Sequence, residues 1–164
     1  MKKISIPFFL AGFVVILDQL IKLLVSSRFS FVGTKVLIPH VLEFHYLENT
    51  GAAMGMFAGA RWPLIVVTLL LIIGCSWYLI RKPNLGFFLR YGLALIIGGG
   101  IGNLIDRMFI GYVVDFIRFP ISWFNYSFNI ADCAVCIGVA MIFLDFIIEL
   151  FREQKSKENN DGTP

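Results

Sequence analysis

The chain is 164 residues long, 58% apolar and 15% charged, with a formal net charge of +3. That length holds one domain, and so little charge on so much apolar surface excludes a water-soluble globule and makes a bilayer the natural solvent. The basic residues fall at segment ends rather than in a stripe interleaved with aromatics, which argues against a nucleic-acid partner.

The N-terminus opens with Lys2 and Lys3 and an apolar run from Ile4 to Leu17, the n- and h-regions of a secretory signal. No small-x-small cleavage site follows, and the run continues through Asp18, Gln19 and Lys22, so it reads as a retained first span. About 20 apolar residues cross the hydrocarbon core as a helix. Four stretches reach that length, at about Pro7–Ser27, Trp62–Ile80, Leu85–Ile105 and Cys133–Phe151. Four spans put both ends on one side. Lys2, Lys3, Arg81, Lys82, Arg90, Arg152, Lys155 and Lys157 all lie on that side, which the positive-inside rule makes cytoplasmic. Trp62, Trp77, Tyr78, Trp123 and Tyr126 fall near span ends or in the outer connections, as headgroup-level rings do.

Within span one, Asp18 and Lys22 stand four residues apart, which puts them on one helix face as a pair. A lone charge at the bilayer centre costs on the order of 3 kcal/mol, so the pair either orders the bundle or supports a site. In the first outer loop, residues 29–61, Leu42, Phe44 and Tyr46 alternate with Glu43, His45 and Leu47, a period of two that predicts a half-buried strand and a small β-structure at the membrane surface. His40 and His45 are expected on that strand, pointing to opposite faces, a poor metal pair. Asn49-Thr50-Gly51-Ala52-Ala53 closes the loop either as a turn or as a place where a ligand approaches backbone closely.

Span three ends in Gly98-Gly99-Gly100-Ile101-Gly102-Asn103-Leu104-Ile105-Asp106-Arg107. Gly98 and Gly102 have the spacing of a close helix contact, while Asn103 and Arg107 share a face and form a polar cluster at the outer end. The second outer connection, about Met108–Ala131, carries Asp115 among apolar neighbours, and Asp132 stands where span four begins. Either acid alone reads as a loop residue or a helix cap. Together, at one depth and beside Asn103, Arg107 and Asn129, they read as an acid pair. Two carboxylates a few ångströms apart hold one proton between them, one as base and one as acid, which is equipment for peptide hydrolysis by activated water. Cys133 and Cys136 have C-x-x-C spacing without a second ligand pair, which favours packing. No metal site, cofactor site or nucleophile motif is apparent. The tail, residues 153–164, is polar and aperiodic and is expected to be disordered.

Two readings from other classes stay open on these residues. Intramembrane Asp and Lys also serve proton relays and ion pathways, and polar residues in spans also hold helices together.

The blocks Asp18-Gln19-x-x-Lys22, Asn49-x-Gly51-Ala52-Ala53, Gly102-Asn103-x-x-Asp106-Arg107, Val113-Val114-Asp115-Phe116 and Phe128-Asn129-x-Ala131-Asp132, in this order and across nearly the whole chain, resemble the lipoprotein signal peptidase (signal peptidase II) family, bacterial membrane aspartic peptidases. The resemblance implies an all-α membrane protein, a four-transmembrane-helix bundle with a small extracytoplasmic β-sheet or cradle. It implies Asp115 and Asp132 as catalytic dyad, Asn49, Gly51, Asn103, Arg107 and Asn129 as substrate-positioning residues, and Asp18, Lys22 and Asp106 as their support. The implied substrate is a diacylglyceryl-modified prolipoprotein, cut just before its lipidated cysteine. The implied setting is the bacterial cytoplasmic membrane, with both termini cytoplasmic, the site on the extracytoplasmic face, membrane lipids around it and a monomer as the working unit.

Overall fold

The computed structural model describes residues 2–29, 34–52, 55–82, 84–121 and 126–161. Ala53, Met54 and Trp123 lie outside the described residues. In chain order the elements are α1 (Lys2–Phe29), β1 (Thr34–Ile38), β2 (Leu42–Asn49), α2 (Arg61–Arg81), α3 (Phe87–Phe109), β3 (Val113–Arg118), β4 (Ser127–Phe128) and α4 (Ile130–Asp161). All four helices are long and apolar enough to cross a membrane, and the protein is a mostly helical, multi-pass membrane protein with one small sheet.

Burial is inverted relative to a soluble domain. Phe9, Phe13, Leu23, Val67, Leu70, Ile73 and Phe143 are exposed, whereas Asp18, Lys22, Asn103, Asp106, Arg107, Asp115 and Asn129 are buried. Lipid accepts the apolar exterior at no cost, while polar groups gain only by facing one another inside.

Helix α3 is the hub. It packs against α1, α2 and α4, while α2 and α4 barely meet among the described residues. Its glycines explain why. A β-carbon on Gly92 would lie 2.7 Å from the Gly138 carbonyl oxygen, and one on Gly98 would lie 2.7 Å from that of Ala11. A β-carbon on Gly102 would meet Asp18 Oδ2 at 2.7 Å and Ala131 Cβ at 3.2 Å. The close approach expected from Gly98 and Gly102 is therefore present, with α1 at both positions and α4 at the second. Backbone contact of this kind is how helices associate in lipid, where no hydrophobic driving force acts between them.

Helices α3 and α4 extend furthest past their expected C-terminal ends. α3 runs to Phe109 rather than Ile105, so Asp106 and Arg107 belong to its last turns. α4 continues through Glu153 to Asp161, a stretch that the sequence reading leaves without regular structure. Glu, Gln and Lys are good helix formers, and extending an existing helix avoids the cost of nucleation. Residues 162–164 lie outside the described residues.

The sheet is antiparallel, in the order β1-β2-β3-β4. The expected strand is β2, half-buried over most of its length. His40 is not on it. Instead His40 occupies the β1–β2 turn with φ 60°, in the left-handed region that turns use, while His45 on β2 lies 2.8 Å from Thr34 Oγ1 through its Nδ1. Pairing of β2 with β3 sets Leu47 opposite Asp115 and Asn49 opposite Val113. That register carries Asn49 and Asp115 to the same end of the bundle.

Candidate active site

The first turn of α4 organises the site. Asn129 precedes the helix and accepts the Asp132 backbone N–H on its Oδ1 at 2.9 Å, while Asp132 Oδ2 accepts the Asn129 backbone N–H at 3.3 Å. This reciprocal arrangement satisfies two donors that a helix start otherwise leaves orphaned. A third, the Ala131 N–H, donates to Asp18 Oδ1 of α1 at 2.9 Å. The Asn129 side-chain amide faces the other way and donates to Asp115 Oδ1 at 2.8 Å and to Asn103 Oδ1 at 3.1 Å. One residue thus contacts both acids, through its backbone and its side chain.

Asp115, on β3, is 1% exposed. Its second oxygen accepts Asn49 Nδ2 at 2.9 Å, and Asn49 in turn accepts the Gly51 N–H at 2.9 Å. Burial and then the charge of Asp132 push the Asp115 carboxyl up to about 7, against the opposing pull of the Asn49 and Asn129 amides and of Lys22. Desolvation and a like charge both penalise ionisation, while donors favour it, and here the penalties win.

Asp132 receives its remaining donor, Asn103 Nδ2, at 2.7 Å. Asn103 is held in that orientation because two donors converge on its oxygen, Lys22 Nζ at 3.1 Å and Asn129 Nδ2 at 3.1 Å. Lys22 also pairs with Asp18 and with Asp106 at 2.8 Å each, so the pairing expected within α1 is present and is shared with α3. Asp106 further accepts Gln19 Nε2 at 2.9 Å and the Val114 N–H at 3.2 Å, which ties α1 and α3 to the strand next to Asp115. Arg107 donates to the Gly51 carbonyl at 2.8 Å, clamping the loop after β2.

A cavity of about 510 Å³ opens beside these groups. Asn49, Asn103, Arg107, Asp115 and Asp132 line it together with apolar residues of α2, α4 and β3, among them Leu64, Leu71, Val113 and Val135. It occupies the gap between α2 and α4 that the packing around α3 leaves open. Among the described residues, no group of three or more His, Cys, Asp or Glu is placed to hold a metal ion.

Comparison with known proteins gives a consistent picture. The family model described as "Signal peptidase (SPase) II" matches residues 10–148. This chain belongs to the signal peptidase II family. Proteins named lipoprotein signal peptidase resemble it along most of their length. The one from Clostridioides difficile is 43% identical, over 86% of this chain and 92% of the relative. That from Symbiobacterium thermophilum is 38% identical, over 85% and 92%. A solved structure titled as a bacterial membrane enzyme determined by the in meso method at 2.3 Å resolution superposes with a TM-score of 0.78 at 32% identity, covering 93% of this chain and 92% of that one.

Within this signal peptidase II family member, the ten residues singled out from the sequence, Asp18, Lys22, Asn49, Gly51, Asn103, Asp106, Arg107, Asp115, Asn129 and Asp132, form one connected cluster. Two members of the surroundings escape the sequence reading. Gln19 bridges Asp106 and the Gly102 carbonyl at 2.9 and 3.1 Å; its place beside Asp18 in the first motif is the signal that could have found it. Arg61 donates to the carbonyls of Arg107 and Met108 at 2.7 and 3.0 Å, closing the C-terminal end of α3. Like Arg107, it is a basic residue on the sheet end of the bundle, against the charge bias of the chain.

Proposed function

We propose that the protein is an aspartic endopeptidase that removes signal peptides from diacylglyceryl-modified prolipoproteins, cutting before the lipidated cysteine. The observation that carries this reading is that Asp115 and Asp132 line one cavity and are joined through Asn129. Asp115, with its raised pKa, keeps a proton up to about pH 7 and polarises the scissile carbonyl. The two acids hold one proton between them, so the carboxylate left ionised takes a proton from water, which attacks that carbonyl, and the proton passes to the leaving nitrogen. No covalent intermediate forms. Asn49, Asn103 and Asn129 hold the carboxyls in place, and Arg107 fastens the Gly51 loop at the cavity wall.

The surroundings suit such a substrate. An apolar gap between α2 and α4 admits a signal helix laterally from the bilayer, and the acids sit at the sheet end of the helices, where acyl chains on the cysteine stay in the adjacent leaflet. The opposite helix ends carry Arg81, Lys82, Arg90 and Arg152, and the positive-inside bias supports a reading with those ends and both termini in the cytoplasm and the site outside. No oligomeric partner enters this scheme.

The test is cleavage of a diacylglyceryl-modified prolipoprotein by purified protein, read as a shortened product on a gel. Asp115→Asn and Asp132→Asn each abolish the product while the protein stays folded and inserted. Normal product from either variant removes that aspartate from the mechanism. Substrate lacking the lipid is cut poorly, and equal rates with and without it would count against the lipid-anchored geometry.

A further inference from the structure

Cys133 and Cys136 have no part in the scheme above, yet both line its cavity. They are the fourth and seventh residues of α4, one turn apart and so on the same face. Both thiols are free, Cys136 exposed and Cys133 half-buried. Cys133 directly follows Asp132, and the cavity that the two cysteines line is also walled by Leu64, Leu71, Val113 and Val135. The third cysteine, Cys75, provides a contrast. It lies on α2, packed against the core formed by Ala11, Leu79, Leu93 and Ile97, and does not line the cavity.

The geometry points to Cys133 and Cys136 as a thiol modification site for apolar α,β-unsaturated carbonyl compounds, at which an adduct closes the cleavage cavity. Apolar walls concentrate an apolar electrophile from the bilayer, and the thiolate that forms when a thiol gives its proton to solvent is the soft nucleophile that adds to such a compound. In the addition, sulfur bonds to the β-carbon, the carbon–carbon π bond breaks, and the thiol proton ends on the α-carbon by way of solvent. No oxidant is consumed and no group leaves. An adduct on this face fills space beside Asp132 and Asn103, where the scissile peptide lies on the reading proposed above, and the blocking effect rests on that reading.

The experiment uses the full chain in lipid nanodiscs and N-ethylmaleimide as probe, with adducts located by peptide mass mapping. Cleavage of lipidated prolipoprotein is compared with the untreated sample of the same variant, so differences in basal activity cancel. The expected result is an adduct on Cys133 or Cys136 and at least a tenfold loss of cleavage in the wild type and in Cys75→Ser. The double variant Cys133→Ser/Cys136→Ser keeps its full untreated rate, and the two single variants identify the responsible thiol should the double variant fold poorly. Adducts on these cysteines with cleavage retained, equal loss in the double variant, or no adduct on either thiol overturns the inference. If untreated protein fails to cut the substrate, the cleavage reading falls separately, and the adduct map still decides whether the thiols face an open cavity.

Discussion

Asn129→Ala removes the residue on which both acids depend, and its cost can be worked from the contacts it makes. The side chain is fully buried. Truncation takes the Asp132 N–H off its acceptor and strips a donor from Asp115 and another from Asn103. Loss of the cap costs about 1 kcal/mol, and each buried group left unsatisfied costs roughly 1–3 kcal/mol. Water entering from the cavity offsets part of the second cost, so a net loss of about 2–4 kcal/mol is expected. The charge state changes as well. The Asn129 amide is one of the groups that lower the Asp115 pKa, so its removal moves that pKa above about 7. Thermal unfolding in micelles reads the first effect. The infrared carboxyl band of Asp115, isolated by subtracting the Asp115→Asn spectrum, reads the second across a pH series. A variant that melts with the wild type and titrates Asp115 at the same pH would show that neither acid relies on Asn129.

Cleavage itself is expected to fall as pH rises through about 7, because Asp115 loses the proton it donates; a rate that keeps climbing to pH 9 would contradict that assignment. The stability linkage has the same sign. A carboxyl whose folded pKa is raised stabilises the protein below its unfolded value near 4 and loses that contribution as pH rises to about 7. Asp115→Asn should therefore melt progressively higher relative to wild type as pH goes from about 4 to 8, as checked by unfolding scans at each pH. Gly138→Ala places a β-carbon 2.6 Å from the Gly92 carbonyl and 2.9 Å from Ile96 Cγ1, and the overpacked α3–α4 seam should lose about 1–3 kcal/mol in the same scans.

Much of this arrangement is legible in the primary structure, for identifiable reasons. Spans announce themselves through length and apolarity, and Asp18 with Lys22 announces itself because charge within a span demands a partner. Strand β3 does not. Val113-Val114-Asp115-Phe116 lacks a period of two because both faces are covered, all four residues being buried, so periodicity misses the element that carries an acid. Gln19 and Arg61 are missed for another reason. Their roles depend on acceptors 83 and 46 positions away; for Gln19 the neighbouring Asp18 is the one local sign, and for Arg61 nothing local marks the pairing. The extension of α3 to Phe109 is of the same kind, since Arg61 holds the carbonyls of its final turn.

Because Asp18 and Lys22 sit one turn apart on α1 and neutralise each other, the first segment reaches the bilayer with its charges already matched. A chain made from its N-terminus inserts α1 long before α3 is synthesised, and either charge alone would add about 2.5–3.5 kcal/mol to that step. Asp106 arrives later and joins a lysine that already has a counter-ion. The salt bridge is thus a travelling companion during biogenesis first and a structural tie second, and a chain with only one of the two charges meets its difficulty at the translocon before any catalytic site exists.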